Sequence, residues 1–471
     1  MRLFAFGSNG SGQLGIGHEE DVPTPTQCLF AQTETSQGPQ MTTIQSTSLA
    51  DESGVTTIAA GGNHTLLLTT SGSIYAAGCN ADGRCGLHRA TKTPKEHGSD
   101  DNRNILRFRR MIISDAASDT EVSNFKHVSA TWEGTIAVAS VPRSSNNVDH
   151  GDTPDMEDRV FVFGSSPKGE LGLGQNTTAP VPGTCIPSFP PTDLRVTALA
   201  SGMAHSAAVL SNGHVYGWGA ARKGQLGRDN RDAKIAYSPV RILVPFFAEA
   251  VACGREFTVV SGRGRFVVLG DRGNRWGILN IPESLSLRAG DDGDLGGYGD
   301  HLQDDGQEDY GGCRGTIPNG STAIAASWHG VYVHAVSGLG GVQPSISNEM
   351  LRTGPRSDAQ ADSDSDFAGG SIVAWGRNDR GQLPPPDLPT PAKLAVGSEH
   401  ALALLQDGRV AAFGWGEHGN CGPDTDSQGN VSGTYNVISL PEAVGADEKV
   451  VGVGAGCATS WMIVTGVNLG S

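Results

Sequence analysis

A histidine and a cysteine stand three residues apart near the C-terminal end of the chain, at His418 and Cys421. An imidazole and a thiolate at this spacing could ligate one metal ion. A closed tetrahedral site needs two further ligands, and the neighbouring sequence offers none. We therefore predict no metal and no cofactor for this chain alone, while a site shared with a metalloprotein partner stays open.

The same stretch, GWGEHGNCGP from Gly414 to Pro423, carries residue types that protein interfaces favour. A tryptophan beside charged groups on a loop is a common interface anchor. The alternative is that the tryptophan packs between structural units and that the cysteine fills a small buried space. The candidate partner-binding residues of this stretch are Trp415, Glu417, His418 and Asn420.

Three histidines, His64, His205 and His400, recur at one position of a sequence repeat. Such recurrence indicates a shared structural hydrogen bond rather than three active sites. Repeats that lack the histidine carry a tryptophan nearby, and these tryptophans could line one side of the assembled repeats or belong to the core. They complete the candidate partner-binding set: Trp132, Trp328 and, at a shifted position, Trp461.

Sequence signatures of catalysis are weak. The run VGVGAGCATS, with Gly452, Gly454 and Gly456, has the wrong spacing for a phosphate-binding loop, and no helix is predicted after it. There is no GxSxG elbow and no HExxH pair. We therefore predict that the protein is not an enzyme.

One unit recurs seven times along the chain: an apolar strand, a turn, an anchor residue, a second apolar strand, a turn and a third strand ending in glycine. The clearest copy is VTTIAAGGNHTLLLTTSGSIYAAG, from Val55 to Gly78. The short apolar runs between turn dipeptides predict strands rather than helices. The predicted anchors are His64, Thr135, His205, Phe257, Val331, His400 and Thr459.

A glycine-flanked turn follows each unit, as in GSNGSGQLG (Gly7 to Gly15) and GAARKGQLG (Gly219 to Gly227), with degenerate copies GCNADGRCG, GDRGNRWG and GEHGNCG. The first turn has no anchor strands before it, and the last anchor strands have no turn after them. Joined, they make one unit, which removes the exposed edges of an open array. The sequence predicts an all-β, seven-bladed β-propeller closed by N- and C-terminal strands.

Composition agrees with many short strands, since 66 of 471 residues are glycine. The formal charge of −16 disfavours direct nucleic-acid contact. Eight scattered cysteines without a CxxC pair indicate a reducing compartment, and the sequence has neither a signal peptide nor a long apolar run. We expect a soluble, intracellular protein with no membrane contact. It would form one domain over residues 1–471, with polar insertions at about 88–124, 141–158, 281–320 and 339–369.

The alternation of anchor units with GxxxxGQLG turns resembles the regulator of chromosome condensation repeat family over nearly the whole chain. Within it, FAFGSNGSGQLGIGHEED (Phe4 to Asp21), VGSEHALAL (Val396 to Leu404), GWGEHGNCGP and GCATSWMIV (Gly456 to Val464) are similar to its fungal alpha-tubulin suppressor branch. This resemblance implies a propeller of cytoplasm and nucleus that forms a heterodimer with a small rubredoxin-like, metal-binding diphthamide protein.

That partner is an electron carrier for tRNA wobble-uridine modification, through Elongator, and for diphthamide synthesis on elongation factor 2. The resemblance implies that the propeller holds and regulates the carrier, and contacts Elongator indirectly, without doing chemistry itself. The founding member of the family suggests another reading, a guanine-nucleotide exchange or regulatory factor for a small GTPase. The long acidic insertions depart from the fungal pattern and leave open which contacts they cover.

Overall fold

The computed structural model describes residues 1–31, 54–86, 104–115, 120–143, 155–177, 181–230, 232–271, 273–287, 312–317, 322–335, 372–442, 444–445 and 447–466. These residues form antiparallel β-strands joined by turns, with a 3-10 turn at Glu283–Leu285. The strands are arranged as seven blades. The predicted all-β, seven-bladed propeller is confirmed.

The strands, numbered in chain order, begin with β1 (Arg2–Gly7) and β2 (Val22–Gln27). Blade 1 follows, with β3 (Val55–Ala60), β4 (His64–Thr69), β5 (Ile74–Cys79) and β6 (Asn104–Arg110), and then a ribbon of β7 (Ile113–Asp115) and β8 (Thr120–Val122). Blade 2 comprises β9 (Phe125–Ala130), β10 (Gly134–Pro142), β11 (Met156–Gly164) and β12 (Val181–Cys185). Blade 3 comprises β13 (Val196–Ser201), β14 (His205–Leu210), β15 (Val215–Ala220) and β16 (Ile235–Ile242).

The second half of the ring repeats this plan. Blade 4 comprises β17 (Ala250–Cys253), β18 (Phe257–Gly262), β19 (Arg265–Gly270) and β20 (Gly312–Thr316). Blade 5 shows three strands among the described residues, β21 (Thr322–Ala326), β22 (Gly330–Ala335) and β23 (Ile372–Gly376). Blade 6 comprises β24 (Pro391–Val396), β25 (His400–Leu405), β26 (Val410–Trp415) and β27 (Asn430–Ile438), and blade 7 contributes β28 (Glu448–Ala455) and β29 (Thr459–Gly466).

Blade 7 is completed by strands from the start of the chain. Strand β29 pairs antiparallel with β1, from Arg2 opposite Val464 to Gly7 opposite Thr459, and β1 pairs with β2 on its other side. The inner strands contact one another in sequence around the axis, and β28 of blade 7 contacts β3 of blade 1. The predicted closure by both ends of the chain is confirmed.

The core lies between the blades. Strands β4 and β14 are buried at every position, because each is a middle strand of its sheet and neighbouring blades cover both faces. This is why the sequence shows continuous apolar runs there instead of an alternating pattern. The bulkiest fully buried side chains include Trp218, Trp461 and Tyr332.

The outer strands were missed by the sequence analysis, which gave each unit three strands. The segment 88–124, predicted as a polar insertion, contains β6, β7 and β8, and the segment 281–320 contains β20. The insertion at 141–158 overlaps the end of β10 and the start of β11, and 339–369 lies outside the described residues. Outer strands face solvent, so their polar composition is typical of a loop.

Candidate protein-binding face

The same backbone hydrogen bond occurs seven times and defines one end of the ring. The residue after the glycine that ends the third strand donates its N–H to a carbonyl in the turn before the second strand. The seven bonds, 2.7 to 3.0 Å long, run from Ser8 to Ala458, Cys79 to Asn63, Ser165 to Glu133, Ala220 to Ala204, Asp271 to Glu256, Arg377 to His329 and Trp415 to Glu399. We call this end of the ring the turn face. It carries two kinds of turn: the turn before each second strand, which we call the rim turn, and the glycine-flanked turn after each third strand, which we call the motif turn.

The glycine that precedes this bond is required by sterics. At Gly7 and Gly219 the backbone φ is +109° and +97°, a region that other residues rarely adopt. A Cβ atom on Gly7 would lie 2.4 Å from the Ala458 carbonyl oxygen, and one on Gly219 would lie 2.5 Å from that of Ala204. The glycine therefore lets the motif turn approach the rim turn closely.

Five motif turns, all but those of blades 3 and 6, are closed by a side chain. The backbone N–H of the Leu-position residue is bonded by the oxygen of a side chain five residues earlier, as in Leu14 to Asn9 at 3.0 Å and Leu171 to Ser166 at 3.1 Å. In blade 4 the bond runs from Leu279 to Asn274 at 2.9 Å. The motif turn of blade 4 thus runs from Asn274 to Leu279. Its Leu position is three residues after Trp276, where GDRGNRWG places it, and Trp276 stands at the tip of the turn.

Trp415 lies at the end of β26, half-buried on the turn face. Its Nε1–H donates to Glu417 Oε2 at 3.1 Å, and its ring meets the His418 ring edge-on with centroids 5.3 Å apart. His418 Nδ1 lies 2.8 Å from Asp21 Oδ2, which ties blade 6 to blade 7. The guanidinium carbon of Arg380 lies 5.3 Å from the Trp415 ring centroid. Three of the four candidates in this stretch are therefore accessible to a partner.

Asn420 is the exception, and its assignment as a partner-binding residue is wrong. Its side chain is fully buried, where its Nδ2 donates to the Trp415 carbonyl at 2.7 Å. Its own carbonyl accepts a 2.7 Å hydrogen bond from Ser460 Oγ. Asn420 therefore fixes the motif turn against blade 7 and cannot reach a partner.

The thiol of Cys421 is equally enclosed. It is fully buried, and burial raises its pKa well above the ordinary value. A thiol held neutral in this way is a poor metal ligand. Among the described residues, no group of three or more His, Cys, Asp and Glu side chains could hold a metal ion.

A second cluster surrounds the mouth of the central channel. Trp132 and Trp328 come from rim turns of blades 2 and 5, and their ring centroids are 5.7 Å apart. Both rings are half-buried. Each of these tryptophans stands two residues before the first residue of the second strand, and we call this place the rim position. The other five blades have different residues there: Gly62, Met203, Arg255, Ser398 and Cys457. The guanidinium carbon of Arg255 lies 5.3 Å from the Trp328 ring centroid.

Trp461 does not belong to this mouth, and the prediction that it binds a partner is wrong. Its side chain is 0 % exposed on β29 and packs in the core between blades 7 and 1. The rim position of blade 7 is held by Cys457, four residues earlier. Trp461 follows the strand rather than the rim turn, so its ring is directed between the blades.

The residues that lie between the Trp415 group and the Trp132–Trp328 pair were not predicted from the sequence. The guanidinium carbon of Arg377 lies 4.6 Å from the ring centroid of Trp276, and His329 lies 5.9 Å from that ring. Arg377 and Arg380 both bridge to Glu399. Because Arg380 also covers Trp415, aromatic and charged groups continue from blade 4 to blade 7. The motif Asn274 to Leu279 could have been found in the sequence and would have placed Trp276 at the tip of a turn, but GDRGNRWG was aligned to the wrong residues.

The three repeated histidines form latches between blades. His64 Nε2 lies 3.0 Å from Thr135 Oγ1, His205 Nε2 lies 3.0 Å from Thr258 Oγ1, and His400 Nε2 lies 2.9 Å from Ser460 Oγ. The hydroxyl always belongs to the second position of the middle strand in the next blade. Burial lowers the pKa of His64 to about 3 and the pKa values of His205 and His400 to about 4.

This geometry corrects two predicted anchors. Strand pairing puts His64 opposite Gly78, Gly134 opposite Gly164 and Gly330 opposite Gly376. The anchors of blades 2 and 5 are therefore Gly134 and Gly330, one residue before the predicted Thr135 and Val331. Thr135 is the partner of a histidine rather than its equivalent.

Within the described part of the chain, no helix is long and apolar enough to cross a membrane. The sequence profile of the regulator of chromosome condensation (RCC1) repeat matches residues 2–68, 157–209 and 212–261. A second profile of the same repeat matches residues 55–84, 196–225 and 392–420.

Relatives match along nearly the whole chain. An RCC1 repeat-containing protein of Schizosaccharomyces pombe is 25% identical over 98% of this chain and 98% of its own length. The mouse secretion-regulating guanine nucleotide exchange factor is 24% identical over 96% of this chain and 82% of its own length. The crystal structure of Prp20p from Saccharomyces cerevisiae has a TM-score of 0.63 at 17% identity and covers 99% of this chain and 92% of that chain. Together with the seven repeated turns, these matches show that the chain carries RCC1 repeats and is similar to RCC1 repeat proteins along nearly its whole length.

Proposed function

We propose that this protein is a non-catalytic, protein-binding propeller whose partner docks on the turn face. The distribution of its seven tryptophans carries the proposal. Trp218, Trp375 and Trp461 are buried in the core. The other four are half-buried on the turn face: Trp132, Trp276, Trp328 and Trp415. Partly exposed tryptophans beside arginines are the residue types that dominate binding energy at protein interfaces.

The proposed partner is the small rubredoxin-like, metal-binding diphthamide protein, held in a heterodimer. The resemblance of GWGEHGNCGP to the alpha-tubulin suppressor branch supports this choice, and Trp415, Glu417 and His418 of that run are accessible on the turn face. In this arrangement the partner keeps the metal and the electron-transfer chemistry. The propeller orients the partner, acts in the cytoplasm and nucleus, contacts Elongator indirectly, and touches neither nucleic acid nor membrane.

The test is co-purification of this chain with the rubredoxin-like protein at moderate salt, followed by mass determination of the complex. We expect a stable one-to-one complex. The double variant Trp415→Ala/His418→Ala should weaken it by tenfold or more, since interface tryptophans typically contribute about 2 kcal/mol or more. Failure of the wild-type chain to associate refutes this choice of partner.

A matched control separates binding from folding. Asp407 and Arg409 form an exposed ion pair in the turn between β25 and β26, at the end of the ring opposite the turn face. The variant Asp407→Ala/Arg409→Ala should keep full affinity and full stability, because exposed ion pairs contribute little. Loss of binding in both double variants, or unfolding of the Trp415 variant, would contradict docking at this site.

A second candidate function is guanine-nucleotide exchange on a small GTPase. The similarity to the mouse secretion-regulating guanine nucleotide exchange factor over 96% of this chain favours it. The assay is release of labelled GDP from a Ran-like GTPase with and without this chain. A rate increase that depends on catalytic amounts of the chain would support exchange, and an unchanged rate would reject it for that GTPase.

A further inference from the structure

We infer that the mouth of the central channel is a receptor for an acidic segment of a protein partner, with Arg255 as its cation and the Trp132–Trp328 pair as its apolar support. The inference deepens the proposed function and rests on docking at the turn face. It specifies what chemistry the docked partner must present.

Arg255 is held in place from two directions. Its backbone N–H donates to the carbonyl of Trp328 at 3.0 Å, and its guanidinium carbon lies 5.3 Å from the ring centroid of that tryptophan. The Trp328 N–H donates in turn to the carbonyl of Ser398 at 2.9 Å. The cation therefore stands on a fixed aromatic surface, which lowers the entropy lost when it binds an anion.

This cation has no counter-charge among the described residues. Glu256, the next residue in the same rim turn, bridges to Lys223 at 3.3 Å, and Glu399 in the rim turn of blade 6 is shared by Arg377 and Arg380. Of the seven residues at the rim position, Arg255 alone is charged. A half-buried guanidinium without a carboxylate is the complement of an Asp or Glu side chain from outside.

The tryptophan pair favours a peptide as the source of that carboxylate. Trp132 and Trp328 meet across the channel mouth from blades 2 and 5, at a ring-centroid distance of 5.7 Å and an angle of 43°. Half-buried rings in this arrangement offer apolar area beside the cation, as hot-spot pockets do. A segment with acidic residues flanking an apolar one fits both features.

The test uses capped, fluorescein-labelled peptides and fluorescence anisotropy at low ionic strength, with the full chain. The probe is Glu-Glu-Phe-Glu-Glu, and the comparison peptide is Lys-Lys-Phe-Lys-Lys. We expect saturable binding of the acidic peptide that weakens with added salt, and no saturable binding of the basic one. No binding of the acidic peptide, or equal binding of both, overturns the inference.

Variants locate the site. Arg255→Gln should weaken acidic-peptide binding about ten- to a hundredfold, the range expected for a charge-assisted hydrogen bond, and Arg255→Lys should retain part of it. The matched control is Arg263→Gln: Arg263 stacks on Phe247 with 5.1 Å between its guanidinium carbon and the ring centroid, but in the turn between β18 and β19 at the opposite end of the ring. An equal effect of the Arg255 and Arg263 substitutions refutes the site.

Two further binding measurements test whether the mouth binds nucleic acid instead and whether the proposed partner is correct. A labelled hexathymidylate that binds more tightly than the acidic peptide would assign the mouth to single-stranded nucleic acid and overturn the inference. The rubredoxin-like protein is assayed separately. If it does not bind while the acidic peptide binds through Arg255, the choice of partner fails and the acidic receptor stands; the reverse result refutes the receptor and leaves the partner.

Discussion

The interblade histidine latches make the stability of the ring depend on pH. In the latch between blades 1 and 2, Thr135 Oγ1 donates its proton to the Arg84 carbonyl at 2.7 Å, so it must accept one from His64 Nε2–H. In the latch between blades 6 and 7, Ser460 donates to the Asn420 carbonyl and must accept from His400. Both bonds place a ring proton on Nε2, and the buried Nδ1 atoms of these imidazoles have no hydrogen-bond partner among the described residues. Burial lowers their pKa values, so the rings are neutral near pH 7. Acid would add a buried charge at each.

The magnitude follows from the pKa values. An unfolded histidine titrates near 6.5, whereas the folded pKa is about 4 for His205 and His400 and about 3 for His64. As pH falls below 6.5, the unfolded chain binds protons that the folded chain does not. Stability is therefore complete near neutral pH and decreases until the folded pKa is reached. Between pH 7 and 5, each latch should lose about 2 kcal/mol of the free energy of unfolding.

The assay is urea unfolding at pH 7 and pH 5, comparing the wild-type chain with His205→Gln. A glutamine amide can still donate a hydrogen bond to Thr258 but does not titrate. Lowering the pH should destabilise the wild-type chain by about 2 kcal/mol more than the variant. Carboxylates titrate in both proteins, so they cancel in this difference. Equal losses in the two proteins would refute the reasoning.

Two substitutions test the core assignments. Trp461→Ala should lower the free energy of unfolding by about 3 to 5 kcal/mol, measured by urea unfolding, because it leaves a cavity between blades 7 and 1; a loss below about 1 kcal/mol would contradict its burial. Asp158, whose side chain is fully buried, bridges to Lys126 at 2.6 Å and bonds the Val196 N–H at 2.7 Å. Asp158→Ala should therefore cost about 3 kcal/mol, whereas the exposed Asp407→Ala should cost under about 0.5 kcal/mol in the same measurement; similar losses would show that burial does not set the difference.

Local pattern was sufficient to predict the repeats and the ring closure. Backbone contacts constrain the glycine that ends each third strand and the Leu position of each motif turn. The same residue types therefore recur at these positions and make the repeat visible in the sequence. Outer strands such as β6 and β20 carry no such constraint. One face of each is open to solvent, and their residues therefore follow the composition of loops.

The candidate site was harder to predict, because exposure depends on which way a side chain leaves its strand. The local sequence does not show which tryptophan is buried: Trp415 stands between two glycines, and Trp461 stands between Ser460 and Met462. Trp415 follows the glycine Gly414 and emerges with the motif turn, whereas Trp461 lies within β29, with both neighbouring blades against it. A one-residue error in the anchors similarly hid that Thr135 receives a hydrogen bond from His64. Pairing across blades is a tertiary property that a repeat pattern does not encode.

The repeated bonds also explain why binding residues should concentrate on the turn face. In every blade the glycine and the Leu position hold the motif turn against the rim turn, and in five blades a closing side chain adds to them. These constraints fix the backbone but leave the turn tip and the rim position free, since their side chains point away from the bonds. The tip is held by Lys223, Trp276, Arg380 and His418 in blades 3 to 6, a set of very different side chains on one backbone geometry. A rigid frame with variable side chains at fixed positions is pre-organised for partner recognition, and in this chain those positions hold the half-buried Trp132, Trp276 and Trp328 and the cation Arg255.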